Sequence, residues 1–226
     1  MTEAKLTRNA IVEAAITLAD ESGLEALSMR RIADRMGVGA MSLYRHIPNK
    51  DALLAAMTDE VARRKPYPDP AGRGWTWRDR VRIAGQVDWE LYQQHPWVLF
   101  TFSVPRYNFG EHSLICLNWL VAGFTEFGID SRAATRMSLA VWSYINGVAL
   151  QQVSVTMLAG KDSELEQQSG LAALLEGTPH WPTPSALTPL VGTGALDLID
   201  PVRMLETGLE ALCDGFAARH SSLRVD

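Results

Sequence analysis

Between residues 28 and 50, in SMRRIADRMGVGAMSLYRHIPNK, the side chains Arg30, Ser42, Tyr44, Arg45, His46 and Lys50 fall close together. Guanidinium and ammonium groups interleaved with hydroxyls and an imidazole are the donors that hold phosphate oxygens, and an arginine on a helix also reaches guanine edges in a DNA major groove. In this stretch Arg30, Arg31, Arg35, Arg45 and Lys50 stand against Asp34 alone, a local charge of +4 on a chain whose net charge is −5. Residues 1 to 65 carry ten Lys and Arg against nine Asp and Glu, and the remainder carries eleven against seventeen. Screening confines each exposed charge to roughly 8 to 10 Å, so a basic edge on an acidic chain still binds phosphate. The acidic remainder discourages promiscuous binding.

Short punctuated helices must position these groups. Thr7 caps a helix over 8 to 22 whose apolar residues Ile11, Ala14, Ala15, Leu18 and Ala19 follow helical spacing, and Gly23 stops it. Ser28 caps a second helix over 29 to 36, with Met29, Ile32, Ala33 and Met36 on one face and Arg30, Arg31, Asp34 and Arg35 on the other. Gly37 supplies a left-handed turn, Val38 plugs it, and a third helix is expected over about 39 to 47, ended by Pro48. Asn49 caps a fourth over 50 to 64, with Leu53, Leu54, Met57 and Val61 inward. Two short helices about a glycine turn, the second with a polar outer face, form a helix-turn-helix sized for the major groove.

A helix that needs only Met41, Leu43 or Ile47 inside has little structural use for Tyr-Arg-His at its exposed end. The segment GVGAMSLYRHIPNKDALL, with LSMRRIADRM before it, resembles the N-terminal module of the TetR family, whose pattern is a glycine turn, Leu-Tyr-x-His, an Asn-Lys or Ser-Lys pair and an apolar run. The likeness runs from Ala15 to Leu54 and beyond. It implies that Arg30 meets a base or phosphate at the groove edge and that Ser42, Tyr44, His46 and Lys50 mainly hold phosphates. Gly39, Ala40, Met41 and Arg45 fall where the family varies its base readers. The tetracycline repressors have Gln-Pro where this chain has Ala40 and Met41, which implies a different operator: Ala40 and Met41 suit thymine methyl groups, and Arg45 guanine or phosphate. Tyr44 and Met41 also have packing uses; Arg45 and Lys50 have little structural reason to be there. Lys50, at the start of the fourth helix, would couple that helix to DNA.

The segment KPYPDPAGRG, 65 to 74, marks a joint. The expected fold class is all-α: an N-terminal three-helix helix-turn-helix DNA-binding domain, with the fourth helix leading out of it, over 1 to 65, and a larger helical ligand-binding and dimerisation domain over 66 to 226. Helices are expected over 76 to 94, 97 to 103, 109 to 127, 131 to 159 and 201 to 220, a short one over 164 to 176, and a mobile loop over 177 to 194. WRDRVRIAGQVDWELYQQHPW and NFGEHSLICLNWLVAGFTEFGID resemble the ligand-binding region of the tetracycline-repressor branch. The aromatic supply there exceeds ordinary core needs and suggests a pocket, with Trp89, Phe100, His112, Trp119, Trp142 and Asn146 as candidate ligand contacts. The family likeness implies a homodimer through the helices at 131 to 159 and 201 to 220, where Leu205, Leu209, Leu212 and Phe216 share a face and Gly208 and Gly215 permit close approach.

Other classes find less support. Cys116 and Cys213 sit singly, as buried free thiols would, and His46, His95, His112, His180 and His220 lack metal-ligand spacing, so neither metal nor cofactor is expected. The uncharged stretch Met137 to Gly160 holds too many polar groups for a lipid-facing span, and MTEAKLTRNA lacks the apolar core of a secretory signal, so a cytoplasmic protein is expected. The function expected is a ligand-responsive transcriptional repressor, released from a palindromic double-stranded operator by a small hydrophobic or aromatic effector. An activator of the same family is the alternative. An enzyme using His112, Glu111, Asp88 and Glu90 lacks any nucleophile motif, phosphate loop or metal set, and a helical adaptor would not need the basic cluster.

Overall fold

The computed structural model describes residues 6–159, 170–179 and 182–221; His180 and residues 164–169 of the expected short helix lie outside them. The described chain is all-α, with no strand among these residues, and its contacts divide it into two compact units, Met1–Leu139 and Ala140–Asp226.

Local capping sets the first helices. In α1 (Arg8–Ser22) the Thr7 hydroxyl accepts the Ala10 N–H at 3.1 Å, and Gly23 turns the chain away at φ 74°. Ser28 caps α2 (Met29–Met36) by accepting the Arg31 N–H at 3.3 Å. Gly37 closes it at φ 68°, ψ 29°, where the N–H groups of Gly37 and Val38 reach the carbonyls of Asp34 and Ala33. The next helix, α3 (Ala40–Tyr44), is shorter than the expected 39 to 47. After Tyr44 the N–H groups of His46 and Ile47 both fall back on the Leu43 carbonyl at 2.9 Å, because Pro48 disfavours helical geometry in Ile47. Asn49 then starts α4 (Lys50–Arg64), its Oδ1 accepting the Ala52 N–H at 2.8 Å. Ile11, Ile32, Leu43, Leu53 and Met57 are fully buried and form the centre of this small bundle.

The bundle is continued by α5 (Trp77–Gln94), begun by a reciprocal Thr76–Asp79 capping box, α6 (Val98–Phe102) and α7 (Glu111–Thr125). Both α6 and α7 pack on α4, and α5 packs on α7. A second tie comes from Asp20 at the end of α1, whose Oδ1 accepts the Trp97 Nε1–H at 2.7 Å and lies 2.8 Å from His95 Nδ1. Arg80 is buried, donating to both Glu126 oxygens at 2.7 and 2.6 Å and to the Trp119 carbonyl at 3.1 Å. Gly123 leaves it room, since a Cβ there would come within 2.7 Å of the Arg80 Cδ.

The long α8 (Ser131–Ala159) begins in the first unit and runs into the second, which also holds α9 (Gly170–Leu175) and α10 (Pro201–Arg219). The expected loop after α9 is tied back: Gly192 and Gly194 donate their N–H groups to the Leu174 and Leu175 carbonyls at 3.1 and 2.9 Å, and 3₁₀ turns follow at Ser185–Leu190 and Leu196–Ile199. Gly208 has a partner inside its own unit. The Tyr144 phenol lies against it, donating to the Met204 carbonyl at 2.5 Å, and a side chain at 208 would collide with that ring. On α10, Leu205 and Leu209 are buried, while Leu212 and Phe216 are half-buried.

The left-handed Gly37 fixes the angle between α2 and α3. Substituting Gly37→Ala should lower stability by about 1 kcal/mol. That corresponds to a fall in Tm of roughly 2 to 4 °C for a domain of this size. An unchanged Tm in a circular-dichroism melt would contradict the assigned turn.

Candidate nucleic-acid interface and effector region

The basic residues of the first unit divide into those held within the fold and those left at its edge. Arg35 makes a two-pronged ion pair with Glu21 of α1 at 2.6 and 2.8 Å, and this hydrogen bonding holds the Glu21 carboxyl below its ordinary range. Arg31 donates to the Ala26 carbonyl at 3.1 Å, and Lys50 places its Nζ 2.9 Å from the Leu27 carbonyl. Lys50 therefore has a structural reason for its place: it fastens the start of α4 to the chain entering α2. An ammonium has three protons, so two remain for a phosphate. Arg30 is exposed on α2 and has no ion-pair partner among the described residues.

Around α3 most of the surface is exposed. Gly39 precedes the helix, Ala40 is half-buried, and Met41 and Tyr44 are 77% and 43% exposed. Only Leu43 of the helix is buried, which leaves the remaining side chains to face outward or sideways. Arg45 lies 3.3 Å from the Ser42 hydroxyl, a contact that steadies the guanidinium beside the helix, and His46 is exposed at the following turn. Arg30, Met41, Tyr44, Arg45 and His46 thus offer charged, apolar and aromatic groups to a ligand outside the molecule. Such a set grips phosphates and contacts base edges.

On its other side α4 is held by carboxylates. Asp59 accepts the backbone N–H of His112 at 2.8 Å and lies 2.9 Å from its Nδ1, while Asp51 accepts the Tyr107 hydroxyl at 2.7 Å, itself reached by Arg106 at 2.7 Å. Gly110 is required here, because a Cβ would run into the Asp59 carboxylate. Next to it Phe109 holds φ at 64°, the left-handed region that a bulky residue enters at a cost of about 1 to 2 kcal/mol. His112, expected among the ligand contacts, is thus a residue of α7 held by Asp59 of α4.

The five other candidate ligand residues fall in distinct places. Trp119 is buried, its Nε1–H donating to the Pro68 carbonyl at 2.8 Å and its ring 5.0 Å from that of Tyr67. Trp89 is half-buried on α5 and Phe100 is exposed on α6. Trp142 and Asn146 sit one turn apart on α8, half-buried, within the second unit.

Beside Trp119 lies a group not foreseen as a ligand contact. Asp88 is only 8% exposed, and the Tyr67 hydroxyl spans its two oxygens at 2.9 and 3.1 Å. Burial raises its pKa to about 7 against the pull of the Tyr67 hydrogen bond. Burial and the charge of Asp88 also push the Tyr92 hydroxyl well up and the Cys116 thiol to about 11, so both stay protonated at neutral pH. Ser113 on α7 is buried, with no partner for its hydroxyl among the described residues. A sequence signal for Asp88 existed: it falls on the helical face of Val81, Ala84, Leu91 and Tyr92, an acid at a core position.

The raised pKa has a definite sign in stability. Between pH 4 and 7 the unfolded chain, with Asp88 near 3.8, has released a proton that the folded chain keeps, so stability falls as pH rises, by at most about 4 kcal/mol. Asp88→Asn keeps an acceptor for Tyr67 and removes this loss. Its Tm should exceed that of the wild type at pH 8 and converge with it at pH 4; a constant gap across the range would contradict the buried ionisation.

The comparisons with known proteins agree with this geometry. Residues 11–57 match the family described as bacterial regulatory proteins, tetR family. The HTH-type transcriptional repressor DrrR1 of Streptomyces coeruleorubidus is 32% identical over 166 residues, 74% of this chain and 58% of that protein. The tetracycline repressor protein class D of Escherichia coli is 38% identical over 80 residues, 35% of this chain and 36% of its own length. This chain therefore spans less than two thirds of the length of these relatives. The crystal structure of the Streptomyces coelicolor TetR family protein ActR in complex with actinorhodin superposes with a TM-score of 0.76 at 26% identity, covering 95% of this chain and 97% of that one. With the helix-turn-helix of residues 29–44 in place, residues 11–57 belong to the TetR family of bacterial regulatory proteins, and the helices that follow share the fold of ActR.

Proposed function

We propose that this protein is a transcriptional repressor that binds a palindromic DNA operator as a homodimer and leaves it when a small hydrophobic or aromatic effector enters the helices beyond residue 65. The observation that carries the reading is the exposed edge of Arg30, Met41, Tyr44, Arg45 and His46 on a helix-turn-helix whose neighbour α4 is held by α7. DrrR1, named a repressor, and ActR, whose structure holds actinorhodin, support it. The two-domain division at residue 65 belongs to the same proposal: helices 1 to 4 serve DNA, the rest serve effector and partner. Action on cytoplasmic DNA belongs to it as well; no helix among the described residues is long and apolar enough to cross a membrane.

A five-residue α3 buries too little surface to hold DNA alone, so twofold symmetry, presenting two copies to two half-sites, is part of the reading. Release follows if the effector favours a dimer whose two copies of α3 are wrongly spaced. A differential of about 1 to 3 kcal/mol lowers operator affinity roughly 5- to 150-fold. The activity is binding and release, with no turnover.

Selection of bound fragments from genomic DNA, followed by mobility-shift titration at several salt concentrations, tests this. The wild type should give a salt-sensitive complex on a palindromic site. Arg30→Ala or Arg45→Ala should reduce the slope of log affinity against log salt by about 1 for each phosphate that the arginine neutralises. Absence of any selected palindrome, or unchanged slopes in both variants, would overturn the assignment.

A further inference from the structure

Several carboxylates that bridge helices in this chain meet a cation: Glu21 meets Arg35, Glu126 meets Arg80, and Glu13 meets Arg64. Among the described residues Asp88 does not. Among the described residues its hydrogen-bond partner is the Tyr67 hydroxyl alone, one proton shared across two oxygens that offer about four acceptor sites. An apolar side chain at that place would serve the fold better, because a buried carboxylate without a cation costs stability.

A second observation comes from the facing helix. Ser113 is 3% exposed and its hydroxyl has no hydrogen-bond partner among the described residues. The usual acceptor for a helical serine is the carbonyl four residues back, which here belongs to Phe109, outside α7 and turned by its positive φ. Ser113 stands one turn before Cys116, whose thiol lies within the field of Asp88. Around them the Tyr67 and Trp119 rings are 5.0 Å apart, and aromatic faces favour cations. Arg80, 5.4 Å from the Trp119 ring centroid, is neutralised by Glu126.

We propose that Asp88, with the hydroxyls of Tyr67 and Ser113, is the polar anchor of the effector site and takes a ligand that carries a protonated amine on an apolar, ring-containing body. The amine supplies the cation that the buried carboxylate lacks and donates to acceptor sites that Tyr67 leaves open. A ligand with a carboxylate at the same point would be repelled. This inference rests on the reading of the chain as an effector-responsive regulator and narrows the effector from any hydrophobic molecule to an amine.

The test uses the full chain and a matched probe pair, 1-naphthylmethylamine and its N-acetyl derivative, titrated calorimetrically at pH 8. The amine should bind the wild type at least tenfold tighter than the acetyl compound. Asp88→Asn should bring the two within about threefold while melting no lower than the wild type, and Ser113→Ala should weaken the amine several-fold without loss of Tm. Equal affinities in the wild type, no binding of the amine, or an undiminished preference in Asp88→Asn would overturn the proposal. Mobility shifts on the same preparations separate the two readings. A chain that prefers the amine but shifts no operator supports the amine site and refutes the regulator, whereas one that shifts operator and ignores the amine refutes the amine site alone.

Discussion

The grip of Asp59 on His112 is the contact on which the first unit depends, because it makes α4 a member of two layers. One face of α4 buries Leu53, Met57 and Val61, and its first residue, Lys50, is fastened to the chain just before α2. Its acidic residues hold the start of α7 through two contacts at Asp59 and the loop before it through Tyr107 at Asp51. A helix held this way cannot shift at one end without disturbing the other. The unfavourable backbone of Phe109 and the absence of room at Gly110 belong to the same joint, where close approach is favoured over local comfort.

From this arrangement follows the division of labour among charges. Arg31, Arg35 and Lys50 hold α2 and α4 in place, so the exposed basic edge is narrower than the local charge of +4 suggests. Arg30, Arg45 and His46 remain exposed, with Met41 and Tyr44 supplying apolar and aromatic surface beside them. An acidic chain with a few well-placed cations depends on shape and register more than on bulk attraction.

The parts legible in the sequence were those fixed by neighbours along the chain. Thr7, Ser28 and Asn49 cap, Gly23 and Gly37 stop, and the three longer helices of the bundle begin and end where these residues place them. The third helix ends early because its last residues answer to Pro48 as well as to helical periodicity. What depended on distant partners was not legible: the Lys50 bond to Leu27 spans 23 positions, and the Tyr67 bond to Asp88 spans 21. His112 was foreseen as a polar group on an apolar helix, but spacing does not tell a ligand contact from a partner on α4. Gly208 likewise suggested close approach to a second subunit, and the Tyr144 ring of its own unit lies against it. Asp88 was named only with Glu90 among the acids an enzyme would use, and its burial against Tyr67 separates it from Glu90, its exposed neighbour two residues on.

The proposed function requires α4 to carry the state of the exposed basic edge to α7. Hydrogen–deuterium exchange of the chain with and without its selected operator measures this directly. Operator binding should slow exchange both in the first turns of α4, at Leu53 to Met57, and at the start of α7, at Leu114 to Leu117, although α7 itself offers DNA no basic side chain. Protection that appears in α2 to α4 and leaves α7 unchanged would contradict the claim that these helices act as one.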